Sequence, residues 1–196
     1  MKSTFTQAKL LGELEMKTGQ LIFGDVLLKG RVDHVYGSTG IYNVVSSENR
    51  HAKYLAAFYI KWLFLKATGQ NLKFIFNGLK RNIELEVNDG PTTEQALKQL
   101  NALVELYKTG VNEPLGYTIQ LPLNELIVLG KSGSGEYEEA YLRSKILKHV
   151  NNEKAFPSKY YEMLVTENYL ENENYVTATL TNTRALWKEI VKWLKL

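Results

Sequence analysis

The chain has 196 residues, a formal net charge of +3 and no cysteine, so disulfides, thiolate metal sites, iron–sulfur clusters and a cysteine nucleophile are excluded. With 44% apolar and 23% charged residues it has the composition of a globular protein able to bury a core, read here as one domain over 1–196. No apolar run approaches the roughly 18 residues of a membrane span, the opening residues do not read as a signal peptide, and a cytoplasmic location is expected.

Lys9–Met16 and Gln20–Leu28 alternate loosely and predict two strands, with Thr18-Gly19 as the turn between them. Asp25–Tyr36 continues the sheet through Val26, Leu28, Val32 and Val35, and Gly30 marks a bulge or a close backbone approach. Gly37–Gly40 reads as a turn and Ile41–Val45 as a short buried strand. Ser46, Ser47 or Asn49 can cap a helix over His51–Thr68 that is apolar on nearly every side, with Gly69 as its left-handed stop. Such a helix belongs in the middle of a domain, and Lys53, Lys61 and Lys66 must extend outward past their own stems.

Leu72–Phe76 and Ile83–Val87 alternate at period two around Asn77-Gly78, predicting a hairpin. Thr92 and Gln95 have capping-box spacing at the start of a second helix. Its predicted buried face is Ala96, Leu100, Leu103, Val104 and Tyr107, and Gly110 is its predicted end. Val111–Pro122 reads as an extended connection, Leu123–Leu129 as a short apolar segment and Gly130–Gly135 as a flexible loop. Helices are predicted over Glu136–Val150, briefly over Phe156–Val165, and at the end over about Thr183–Leu194. Thr166–Tyr175, acidic and rich in asparagine, reads as a surface connection.

Gly130-Lys-Ser suggests a phosphate loop, but that motif needs a glycine five residues earlier, where Glu125 stands. His34, His51 and His149 are dispersed without ligand spacing, so no metal site and no cofactor is predicted. The charge distribution is more informative. From Arg50 to Ile83 the chain carries Arg50, Lys53, Lys61, Lys66, Lys73, Lys80 and Arg81, with no acid. Solvated surface lysines would explain this; so would a face that tracks DNA phosphates, with Trp62, Phe74 or Phe76 stacking on bases.

Gly30-x-x-Asp33 on one strand, a turn, a second apolar strand and a buried helix form the skeleton of a metal-dependent nuclease site. Phosphodiester cleavage on such a frame needs a second carboxylate and then a lysine, in Asp/Glu-x-Lys form, on the following strand. That strand ends Val44-Val45-Ser46-Ser47-Glu48-Asn49-Arg50, with serine at the carboxylate position. Glu48-x-Arg50 does not replace it, because arginine cannot lose its proton to act as a base. Asp33 therefore reads as the vestige of a site without catalysis, and an active magnesium nuclease using Asp33 and Glu48 is the alternative.

Taken in order, these pieces resemble the C-terminal domain of RecC, the gamma subunit of exodeoxyribonuclease V (RecBCD), over about residues 20–196. The resemblance rests on Gly30-x-x-Asp33, Ile41-Tyr42, the helix Tyr54–Gly69 and the basic hairpin. It continues with Glu94-Gln95-Ala96-Leu97 and Tyr107-x-x-Gly110-x-x-x-Pro114-Leu115. Phe64 or a neighbour stands where that helix usually has histidine. The resemblance implies an α+β, restriction-endonuclease-like (PD-(D/E)XK) fold, a central mixed sheet flanked by helices with further C-terminal helices, in a terminal piece of a longer chain. It implies a non-catalytic DNA-handling and scaffolding role in double-strand-break repair. RecB-like and RecD-like subunits and forked or single-stranded DNA are the implied partners. In that role Trp187 and Trp193 of the terminal helix serve core packing or partner docking; a pure subunit-interaction module is the other alternative.

Overall fold

The computed structural model describes residues 12–45, 51–112, 121–131, 140–141, 143–144 and 173–196. The chain falls into two compact units, 1–105 and 106–196. The first is α+β and carries a five-stranded mixed sheet in the order β1-β2-β3-β4-β5. Its strands are β1 (Leu14–Phe23), β2 (Val26–Tyr36), β3 (Thr39–Asn43), β4 (Lys73–Asn77) and β5 (Asn82–Leu85). Helix α1 (His51–Ala67) crosses from β3 to β4, which run parallel, while the other neighbours are antiparallel.

The first hairpin corrects one expectation. Thr18 and Gly19 lie within β1, and the turn is Gly24-Asp25, with Gly24 at φ 59° as a glycine-first two-residue hairpin requires. Gly19 instead pairs with Gly30 across the strands, and a Cβ on either would stand about 3 Å from the Phe64 ring: 2.9 Å from Cζ at Gly30 and 3.1 Å at Gly19. The glycine pair is a seat for an aromatic ring, so the close approach expected at Gly30 is present.

A bulge follows on β2. Glu15 pairs with Val35 but Lys17 with Val32, leaving Asp33 and His34 opposite Met16, with His34 at φ 60°. The extra residue resets the alternation, which is why Val32 and Val35, three positions apart, are both fully buried. Beyond the bulge, β2 and β3 share only the pairs Val35–Gly40 and Tyr36–Thr39.

Helix α1 lies on the sheet as its apolar pattern demands. Leu55, Phe58, Tyr59, Trp62, Leu63 and Leu65 are at most 1% exposed. Phe58 stacks on Phe74 with centroids 4.6 Å apart and meets Phe76 edge-on at 5.4 Å. The helix ends in a Schellman arrangement: Gln70 N–H donates to Leu65 O at 2.8 Å and Gly69 N–H to Lys66 O at 3.1 Å, with Gly69 at φ 72°.

Helix α2 (Thr93–Asn112) opens with the expected capping box: Thr92 N–H donates to Gln95 Oε1 at 3.0 Å and Gln95 N–H to Thr92 Oγ1 at 3.2 Å. Ala96, Leu100 and Val104 are buried, but Tyr107 is 68% exposed and the helix passes Gly110 to end at Asn112. One glycine costs about 1 kcal/mol in a helix, too little to stop it alone.

In the second unit α3 (Leu123–Lys131) includes Gly130 and Lys131, which corrects the expectation of a loop at those two residues; 132–135 lie outside the described residues. A Cβ on Gly130 would stand 2.5 Å from the carbonyl oxygen of Trp187, so this glycine serves close helix packing. The terminal helix α4 spans Glu173–Leu194, ten residues earlier than expected at its start. Thr179, Leu180, Thr183, Trp187, Ile190, Val191 and Leu194 form its buried stripe. The β-branched threonines lower its propensity, but packing against α3 decides the outcome. Residues 140–141 and 143–144 are helical, and the rest of Glu136–Val150, with Phe156–Val165, lies outside the described residues.

Candidate nucleic-acid interface

Two parallel strands joined through a helix place the helix start and the strand ends at one edge of the sheet, the usual location of ligand sites in such sheets. Here Val44 N–H donates to Asn77 O at 2.8 Å and Asn77 Nδ2 to Asn43 Oδ1 at 3.0 Å, which joins the ends of β3 and β4. The β4–β5 loop, Gly78–Arg81, closes with Gly78 N–H donating to Arg81 O at 2.8 Å. It lies on the first turn of α1, where a Cβ on Gly78 would be 2.8 Å from His51 Cε1. Lys53, Lys80 and Arg81 therefore share one end of the sheet. Lys53 and Lys80 are exposed, Arg81 is half-buried, and the first turn of α1 holds no acid. The helix dipole adds positive potential there.

Along α1 this surface continues through Tyr54 and Ala57 to Lys61, spaced so that they lie on one side. The ammonium of Lys53 lies 4.9 Å from the centroid of the Tyr54 ring and that of Lys61 lies 5.0 Å from that of Tyr42. Tyr42 extends from β3, stacked on Phe76 with centroids 6.1 Å apart and an interplanar angle of 13°. Burial, and then the nearby Tyr54, push the Tyr42 hydroxyl above its ordinary pKa.

The remaining expected residues are elsewhere. Lys66 is turned inward and 6% exposed; its ammonium donates to Val87 O, and burial lowers its pKa although Asp89 opposes the shift. The sequence reading of an outward Lys66 is corrected: the helix is buried around its C-terminal turn and leaves the side chain a carbonyl rather than solvent. Lys73 points to the sheet face opposite α1, paired with Glu84 at 2.8 Å and Glu86 at 2.7 Å, hydrogen bonds that hold its ammonium above the usual lysine range. Arg50, Ser46, Ser47 and Glu48 lie outside the described residues.

Trp62, Phe74 and Phe76 are at most 1% exposed, which corrects the expectation that they stack on bases. Hydrophobic pattern alone does not separate a core aromatic from a surface one when both flank the same helix. Asp33 stands on the sheet face away from α1, with Arg31 Nε 3.5 Å from its Oδ1. Among the described residues no group of three or more His, Asp or Glu side chains is placed to hold a metal ion. In the second unit Trp187 is fully buried, and Trp193 is half-buried with its Nε1 donating to Glu189 at 2.9 Å.

The family model of the RecC C-terminal domain matches residues 3–123. The chain belongs to that family. RecC is a component of the exodeoxyribonuclease V (RecBCD) DNA-repair complex, and this chain accordingly represents part of such an assembly. The matched span holds the whole sheet, α1, α2 and the basic end of the sheet, and it stops at Leu123, short of the residue 196 to which the sequence resemblance was extended. No curated protein matches the chain.

Sequence reading did not single out the half-buried pair Tyr42 and Tyr54. Ile41-Tyr42 stands among the residues that carry the resemblance, but only the parallel pairing of Tyr42 with Phe76 sets its ring beside α1.

Proposed function

We propose that this RecC C-terminal domain is a non-catalytic DNA-handling and scaffolding element of a RecBCD-type helicase–nuclease, meeting nucleic-acid phosphates at the end of the sheet that carries Lys53, Lys80 and Arg81. The observation that supports it is the junction of Gly78 with His51, which brings Lys53 of α1 and the loop cations Lys80 and Arg81 to one edge without an acid in the first turn of α1. Lysine and arginine there release counterions from DNA, so affinity depends on salt. A nuclease-like PD-(D/E)XK ancestry is consistent with the strand meander, the buried crossover helix and the parallel β3–β4 pair. Loss of catalysis is supported by Asp33 being paired with Arg31 and by the serines at 46 and 47.

The test is binding of single-stranded and forked DNA across a salt series. The triple variant Lys53→Ala, Lys80→Ala, Arg81→Ala is expected to lose affinity and flatten the salt slope; unchanged values would refute the placement. Magnesium-dependent digestion of linear DNA that disappears in Asp33→Asn would refute the loss of catalysis.

A second reading, a surface for RecB-like or RecD-like subunits, is favoured by the outer face of the β1–β2 hairpin. Ile22 and Leu27 pair there across the strands at 73% and 49% exposure, with Leu14 and Met16 also exposed on the edge strand. Subunit capture without DNA that Ile22→Lys abolishes would establish it.

A further inference from the structure

We propose that Tyr42 and Tyr54, with Lys53 and Lys61, form a platform that stacks the bases of a single strand of nucleic acid; this rests on the DNA-handling reading and specifies its ligand as unpaired. Four features on one side of α1 carry the inference. The two phenol rings are half-buried, whereas Phe58, Tyr59, Trp62, Phe74 and Phe76 beside them are closed inside the core. Tyr42 is held in place, stacked on Phe76 and edge-on to Phe58 at 6.1 Å, so its ring is presented without an ordering cost at the moment of binding. Tyr54 stands one helical turn before Phe58, the residue that meets Tyr42 edge-on, so the two rings lie on the same side of α1. Each ring carries an ammonium, at 4.9 Å for Lys53 and 5.0 Å for Lys61.

Base stacking on an aromatic ring outweighs an exposed ammonium–ring contact, so an arriving base displaces the lysine from the ring face. The displaced ammonium stays on the same stem and can take the adjacent phosphate. Ala57, between the two lysines on the helix, leaves a low floor, and Lys53 and Lys61 are about 12 Å apart along the axis. Aromatic faces beside mobile cations are what sequence-tolerant single-strand binding needs, because every base has a π-face. A duplex, with its bases already stacked, cannot use such rings.

The experiment compares the 196-residue chain with an ordinary single-stranded oligonucleotide and one of equal length and charge whose backbone is abasic. The expected result is roughly 5- to 150-fold weaker binding of the abasic strand with the same salt slope. Tyr54→Ala should reduce that difference and Tyr54→Phe should keep it. Equal affinity for the two strands, with salt dependence intact, overturns the platform while leaving the DNA-handling reading in place. No binding of either strand overturns both. The abasic comparison uses the unaltered chain, so it decides even if a tyrosine variant folds poorly.

Discussion

The Phe64 ring lies against the backbone of Gly30, so close that a Cβ on the glycine would stand 2.9 Å from Cζ. The ring is 5% exposed and also covers Gly19, so it has little room to retreat. Gly30→Ala is therefore expected to destabilise the fold by about 1–3 kcal/mol through overpacking, less the fraction returned by removing a strand glycine. Urea unfolding measures this, and Phe64→Leu in the Gly30→Ala background should recover part of the loss.

Lys66 and Lys73 provide controls within the basic stretch. Lys66→Met removes an ammonium that donates to Val87 O, and Lys73→Gln removes one held by Glu84 and Glu86. Both should leave the salt slope of single-strand binding at the parent value. Lys53→Ala or Lys80→Ala should each reduce that slope by about 0.7, the value for one phosphate contact with a single strand.

Tyr42 sets an alkaline limit. Its hydroxyl is raised above the ordinary 10.0 by burial and then by Tyr54, so the folded state holds the proton more tightly than the unfolded chain. The stabilisation is fully present below the unfolded pKa and is lost as pH rises through the folded one. Stability should thus decline above about pH 10, with a shallower decline in Tyr42→Phe. Denaturant midpoints at pH 9, 10 and 11 distinguish the two.

Gly130 tests the second unit. Gly130→Ala would place a Cβ 2.5 Å from the Trp187 carbonyl, so α3 and α4 must separate. The fluorescence of buried Trp187 should shift to the red, and the second unit should lose stability by about 1–3 kcal/mol or more, because backbone cannot yield as a side chain does. An unchanged spectrum and midpoint would show that the helices do not approach this closely.

The capping box offers a local measurement. Thr92→Ala removes the acceptor for the Gln95 amide at 3.2 Å, at an expected cost of about 1 kcal/mol in unfolding free energy. Thr92→Ser should restore most of it.

Sequence by itself determined what local chemistry and periodicity control. The span of α1, its glycine stop at Gly69, the Thr92–Gln95 cap and the β4–β5 hairpin follow from side-chain spacing and the conformational freedom of one glycine. The order of motifs from Gly30 to Leu115 was also enough to indicate the RecC family. Tertiary structure alone decided the uses of residues whose local preferences are weak. Thr18-Gly19 has the composition of a turn, yet a ring from α1 makes it strand. Gly130 has the composition of a loop, yet the carbonyl of Trp187 makes it a helix contact. Lys66 and Lys53 have the same charge on the same helix, but one is turned to a buried carbonyl and the other to solvent. A glycine or a lysine accepts several environments at similar cost, so the neighbour brought by the fold selects among them, and that neighbour is distant in sequence.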